Sequence, residues 1–391
     1  MHQKEKKQRR TGKKEELGSV TRSYWKDCFE ILTVDMKDVR PFISNFRAFV
    51  NIVTAVCILG VDFQVFPRRF GKCETYGTGL MDTGVGSFVI CNAIVSSEVR
   101  NSSKKSSLSK TIVSTAPLWI LGLIRLISIR NLDYQEHASE YGVHWNFFFT
   151  LAMVKIVSAI VLTVVSSRLC LFLSVCIISG YQYLLTSAGL MDFIIYGVKG
   201  DGSRNGLIDA NREGICSVMG YLALYFIGVE IGKQLFSKRN YLSLYCVLFA
   251  LSSVSCMLLY VCQIFVEPVS RRTANLGYFL WMIFFNCLLL TSFLLMEIIM
   301  LCNHRFFDTH ETKPSSSDHT VHLISQLVNA VNHHGLVYFL LANLLTGMVN
   351  MNVETIFATH IEGFIIITLY MFILSAVIYT FSRFGIRTKI W

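Results

Sequence analysis

The run YLSLYCVLFALSSVSCMLLYVCQIFV, residues 241–266, decides the fold. It contains no Asp, Glu, Lys or Arg, and its apolar residues do not alternate with polar ones. At 1.5 Å per residue a helix of this length crosses roughly 30 Å of hydrocarbon, and a helix is the form in which an isolated segment pairs all its backbone groups in lipid. A barrel strand would alternate, so a β-barrel is excluded. Working outward, Leu169–Met191, Thr273–Met296 and Gly363–Ser382 are equally free of charge and long enough to span. Ser114–Ile124 with its flanks, Phe147–Ser166, Gly214–Ile231 and Leu336–Met351 are shorter or interrupted, and Phe46–Val61 and Met81–Ser97 are the weakest two. The expectation is an all-α polytopic membrane protein of about ten transmembrane helices.

Composition agrees. Of 391 residues, 53% are hydrophobic and only 16% charged, against roughly 25% charged in soluble domains. Five prolines and 29 phenylalanines do not describe a disordered chain. The net charge of +10 resembles a nucleic-acid signal until it is located: ten of the 36 Lys and Arg residues lie between Lys4 and Lys37. A basic segment beside apolar spans reads as a cytosolic flank, so no nucleic-acid partner is expected. Residues 1–40 are therefore read as a basic cytosolic tail without order, and 41–391 as one multi-helix membrane domain. The tail has no apolar core of its own, so no cleavable signal is expected. The 12 cysteines are scattered with no CxxC pair, which indicates neither a zinc site nor a disulfide framework, and no metal is expected.

Charge also orients the chain. With both termini cytosolic, 25 of the Lys and Arg residues fall on that side and 10 on the other, in the sense of the positive-inside rule. The sequon Asn101-Ser-Ser is then cytosolic and unused. The opposite, lumenal loops are rich in charges of both signs: VDFQVFPRRFGKCETYGTGLMD (61–82), NLDYQEHASEYGVHWNFFF (131–149), NGLIDANREGI (205–215) and SRRTANLGY (270–278). Four such loops on one face suggest a shared polar site at the membrane boundary.

Each residue also has a plainer reading. Asp62 can be a helix-end charge reaching for the interface, Arg68 and Arg69 can hold lipid headgroups, and His144 beside Trp145 can be an interfacial anchor. Glu230 and Glu297 read as interfacial. Lys155 lies too deep in its helix to reach water easily, which points to a cavity or partner. The sequence has no GxSxG, HExxH or GxxxxGK[ST], so a nucleophile elbow, a helix-borne zinc protease and a phosphate loop lack support. The residues alone leave an enzyme and a transporter equally open.

The stretch VDFQVFPRRFGKCETYGTGLMDTGVGSF (61–88) closely resembles the signature of the glycosylphosphatidylinositol (GPI) inositol acyltransferases, the PIG-W family. LDYQEHASEYGVHWNFFFTLA (132–152), NREGICSVMGYLALYFIGVEIG (211–232), SRRTANL (270–276) and GLVYFLLANLLTGMVNM (335–351) resemble that family in the same order, from about Arg40 to the terminal KIW. The resemblance implies a multi-pass endoplasmic-reticulum enzyme. Such an enzyme transfers a fatty acyl chain, typically palmitoyl, from acyl-CoA to the inositol 2-hydroxyl of glucosaminyl-phosphatidylinositol. Acyl-CoA is a co-substrate, membrane lipid is the medium, and neither a cofactor nor an obligate protein partner is implied. The family's key polar pair matches Asp62 and Lys72. Family members usually carry about three further N-terminal helices, where this chain has its charged tail.

Acyl transfer to an alcohol needs a base, a polarised thioester and two aligned substrates. Asp62 is the expected base and Lys72 the expected oxyanion stabiliser, or alternatively the partner that orients Asp62. Arg68 and Arg69 are expected on phosphate, and His144 and Asn146 on a substrate headgroup. The rival reading is a transporter or lipid flippase with Asp62 and Lys155 as coupling groups; a non-catalytic scaffold is a third.

Overall fold

The computed structural model describes residues 24–26, 28–36, 40–100, 108–130, 139–308, 324–386 and 388. The sequon at Asn101, most of the tail, residues 131–138 of the second loop and the terminal KIW lie outside them. Among the described residues the chain is helical, apart from one isolated bridge between Asp35 and Asn240. Ten helices are long and apolar enough to cross a membrane. They are α1 (Pro41–Gly60), α2 (Leu80–Arg100), α3 (Leu108–Ser128), α4 (Phe147–Val164) and α5 (Ser167–Ser187), then α6 (Arg212–Phe236), α7 (Tyr241–Phe265), α8 (Leu276–Arg305), α9 (Gly335–Asn352) and α10 (His360–Arg383). The protein is a multi-pass, all-helical membrane protein, as the run lengths predict.

Local chemistry sets several boundaries. Pro41 sits in the first turn of α1, where its missing N–H removes nothing. The next free donor, the Phe42 N–H, is met by Glu297 of α8 at 2.7 Å, so Glu297 caps a neighbouring helix from a buried position. Asn240 caps α7 through the Ser243 N–H, and Thr359 with Glu362 forms a capping box on α10. The run read as Leu169–Met191 is cut short because Gly189, at φ +73°, turns the chain out of the helix. The run read from Thr273 begins its helix only at Leu276, because residues 270–275 form a loop held by the Asn275 side chain on the Ser270 N–H.

The helices form two packed groups. The larger core gathers around α6, the most enclosed of the spans, which packs against α2, α4 and α5, with α7 and α8 paired alongside. A smaller core joins α1 to α9, α10 and the short helix Gln326–His333. Small residues on α6 bring backbones together. A Cβ on Gly220 would lie 2.0 Å from the Ala274 carbonyl oxygen. Gly220→Ala is therefore expected to force the 270–275 loop off the helix and cost about 1–3 kcal/mol, read as a fall in the detergent-solubilised unfolding midpoint.

Within the segment read as an unordered tail, residues 28–33 are helical, and Cys28, Ile31 and Met36 are buried in the larger core. Arg305 on Glu30 and the Met36 N–H on the Arg239 carbonyl fasten this piece to the bundle. Seven of the twelve free cysteines are buried, as small hydrophobes would be.

Candidate functional site

The loops after α1, α3, α5, α7 and α9 meet on one face of the bundle. The Val143 N–H donates to the Ala210 carbonyl, the Gly77 N–H to that of Val269, and Gln64 Nε2 to that of Ile356. The charged stretches picked out in the sequence are thus neighbours in space. Met36, Arg40, residues 237–240 and the Ser167 turn gather on the opposite face, where Arg40 donates to the Ser237 carbonyl and Lys233 contacts Glu230 and the Ser167 carbonyl.

Asp62 lies just past the end of α1, beside the smaller core. Its Oδ2 accepts a 2.9 Å hydrogen bond from Asn350 Nδ2 near the end of α9. The adjacent Phe63 is fully buried against α10, so the backbone at Asp62 is held. Burial pushes the Asp62 carboxyl above its ordinary range, while the Asn350 hydrogen bond and the Arg68 charge pull it partly back. The Arg68 guanidinium also donates to the Val61 carbonyl at 3.1 Å, bracing the end of α1. Arg69, by contrast, stands over the Phe70 ring at 5.1 Å.

Lys72 belongs to a different cluster. Its Nζ is 2.7 Å from Glu140, and Glu140 also receives Arg271 at 3.3 Å. Arg271 in turn holds Asp82 at 2.7 Å. Among the described residues neither an ion pair nor a hydrogen bond joins Lys72 to Asp62, so the orienting role considered for Lys72 has no direct contact behind it. Burial pushes Glu140 up, but the Arg271 and Lys72 charges outweigh it and hold the carboxyl below its usual range. A second knot lies beside this one: Glu213 accepts from Arg204 at 2.7 Å and Arg272 at 2.8 Å. Glu140, Arg271 and Glu213 were legible only as loop charges, because their pairing depends on three distant segments meeting.

His144 is half-buried, and its backbone N–H donates to Asn211 Oδ1 at 2.7 Å. Asn146 caps α4: its Oδ1 accepts from the Phe148 and Phe149 N–H groups, and its Nδ2 donates to the Gly122 carbonyl at 2.9 Å. Both ends of that amide are committed to structure. An asparagine immediately before an apolar run is an N-cap signal, and it was available in the sequence.

A cavity of about 900 Å³ opens between α1, α2, α3, α4 and the start of α9. Arg47, Glu98, Lys110, Asn332 and His333 line its polar end, on the face opposite the loop cluster. Its inner end is aromatic: Phe339 lies 5.8 Å from Phe88, 5.7 Å from Phe147 and 6.0 Å from Phe148, centroid to centroid. Lys155 also lines it, which accounts for a lysine so deep in α4. Arg47 Nε, Asn51 Oδ1, Ser96 Oγ and Asn332 Oδ1 are buried without a hydrogen-bond partner among the described residues, and all four side chains line this cavity. A polar mouth, unsatisfied polar atoms and an apolar depth suit an amphiphile.

A family model described as GWT1 matches residues 1–381. The chain is 38% identical over 398 residues to glucosaminyl-phosphatidylinositol-acyltransferase PIGW of Bos taurus, a match covering 94% of this chain and 78% of that protein. To the Homo sapiens protein of the same name it is 37% identical over 387 residues, covering 90% and 76%. To GPI-anchored wall transfer protein 1 of Debaryomyces hansenii it is 36% identical over 395 residues, again covering 90% and 76%.

Proposed function

The chain belongs to the GWT1 family, and from that premise we propose that it is an O-acyltransferase of GPI-anchor biosynthesis. It moves a fatty acyl chain from acyl-CoA to the inositol 2-hydroxyl of glucosaminyl-phosphatidylinositol in the endoplasmic-reticulum membrane. The observation that carries this reading is the 38% identity, over 94% of this chain, to a glucosaminyl-phosphatidylinositol-acyltransferase; Asp62, a carboxylate held by Asn350 at a helix end, supplies a group placed to act as the base. A desolvated carboxylate with a raised pKa is the better proton acceptor.

In the proposed step the Asp62 carboxylate takes the hydroxyl proton as the inositol oxygen attacks the thioester carbonyl. Lys72 stabilises the oxyanion of the tetrahedral intermediate. The carbon–sulfur bond then breaks, and CoA leaves as the thiol, taking the proton from Asp62 and restoring its carboxylate. Arg68 and Arg69 serve phosphate, and His144 serves the headgroup. Asn146 contributes by fixing the start of α4 rather than by touching substrate. The cavity supports a site for the acyl chain of the donor, which its phenylalanine cluster suits.

The reaction is tested by expressing the chain in cells that lack GPI-inositol acylation and weighing the accumulated glycolipids. A gain of one fatty acyl group on glucosaminyl-phosphatidylinositol is expected. Unacylated lipid, with the protein present in the membrane, would overturn the reading. The donor site has its own test. Leu118, on α3, lines the cavity, and Leu118→Trp is expected to raise the KM for acyl-CoA about ten-fold, a loss of about 1.4 kcal/mol. The KM for the inositol lipid should stay unchanged.

A further inference from the structure

The contacts around Lys72 close into a ring. Lys72 Nζ meets one oxygen of Glu140 at 2.7 Å, and the other oxygen of Glu140 meets Arg271 Nη1 at 3.3 Å. Arg271 Nε meets Asp82 Oδ1 at 2.7 Å, and Asp82 Oδ2 accepts the Cys73 N–H at 3.0 Å. Cys73 is the residue bonded to Lys72, so the circuit returns to its start. Two cations and two anions alternate around it, and every carboxylate oxygen is engaged.

The ring is graded in burial. Asp82 is fully enclosed and Arg271 nearly so, Glu140 is intermediate, and the Lys72 side chain is 45% exposed. Enclosed members fix an accessible one. The backbone beneath is equally constrained. A Cβ on Gly79 would lie 2.1 Å from the Gly71 carbonyl oxygen, so the two ends of the turn carrying Lys72 press directly together. Ser270 Oγ donates to the Thr75 carbonyl at 2.6 Å, and Tyr278 Oη, which donates to the Asp82 carbonyl at 2.9 Å, also receives the Gly86 N–H. The root of Lys72 is thus fastened by the turn, and its ammonium is fastened, among the described residues, by Glu140 alone. A lysine has four rotatable side-chain bonds, and a preorganised charge works without having to reorganise during the reaction.

We infer that Glu140 is a positioning residue, which holds the Lys72 ammonium at the reacting carbonyl and is itself locked through Arg271 to Asp82. This rests on the acyl-transfer reading above. Glu140 touches no substrate in this scheme, so its effect should pass wholly through Lys72.

The test is a double-mutant cycle on the full-length protein in membranes. Glu140→Gln is expected to lower kcat about 10- to 100-fold, as misplacing a reactive group does, while both KM values stay near wild type. Glu140→Asp should recover part of the loss. In a Lys72→Met background Glu140→Gln should lower kcat no further. Equal losses from Glu140→Gln in the two backgrounds would overturn the inference, because Glu140 would then act without Lys72. A second measurement needs no activity. Acetylation of Lys72 by limiting acetic anhydride, followed by mass spectrometry, should run about two- to five-fold faster in Glu140→Gln, since loss of the ion pair frees the amine. Exposed Lys199 serves as the internal reference. Unchanged Lys72 labelling would overturn the ring. If the wild-type protein acylates no inositol lipid, the proposed function fails and the labelling arm still decides whether Glu140 holds Lys72.

Discussion

Asp62→Asn leaves the protein in the membrane and removes acyl transfer, with turnover falling by about 10²–10⁴-fold, the range that general-base catalysis supplies. The amide keeps the size of the carboxylate and can still meet Asn350, so the contact between the end of α1 and α9 should hold. What it loses is the ability to take a proton. The wild-type pH profile carries the same information. Because burial raises the Asp62 pKa, the base form is lost on acidification at a higher pH than the ordinary aspartate value of about 3.9. Activity should therefore rise with pH through an acid limb displaced upward. Asn350→Leu removes the hydrogen bond that lowers the pKa, and should displace that limb further. Both effects are read from initial rates of lipid acylation across pH. Near-normal turnover in Asp62→Asn would end the base assignment.

Arg271→Met should be the most destabilising single change on the loop face. Arg271 neutralises Asp82 and Glu140 together, and Asp82 has no exposed surface through which water could replace it. Breaking a buried pair by removing one partner costs about 3–5 kcal/mol. The expected result is a large fall in unfolding midpoint in detergent and reduced protein in the membrane. Arg271→Lys should recover only part, because one ammonium cannot reproduce the fork that reaches two carboxylates. The cluster also couples stability to pH. Glu140 is held below its unfolded value by its cations, so its contribution is complete above about pH 4.3 and disappears as pH falls through the lower folded value. Thermal unfolding between neutral and acidic pH checks this, and Glu140→Gln should flatten the dependence.

The spans were legible because a bilayer imposes a length, and the run 241–266 meets it without help from neighbours. Boundaries were less so. α1 begins at Pro41 rather than Phe46 because a glutamate 255 residues away supplies its cap, and no local pattern carries that. Residues 28–33 were read with the basic tail because charge surrounds them, yet Cys28 and Ile31 are buried in the larger core and Glu30 pairs with Arg305. Asp62 and Lys72 were readable as unusual charges beside apolar runs. The division between them was not: Asp62 is held from α9 and Lys72 from the loop before α4, and which charges meet is a property of the folded bundle. Asn146 was read among headgroup contacts, although its position before a phenylalanine run also described the cap that its side chain makes.

The alternating ring also sets a clock on the making of the protein. Its members come from three loops, and Asp82 and Arg271 are 189 residues apart in the chain. Synthesis at about 5–20 residues per second separates them by about 10–40 s. During that interval Asp82 stands at the boundary of a half-built bundle with its counter-ion still unmade, while Glu140 has Lys72 alone of its two cations. A nascent chain stalled or cut before residue 271 therefore displays Asp82 without its counter-ion, a chemical mark of incompleteness that vanishes when translation delivers Arg271.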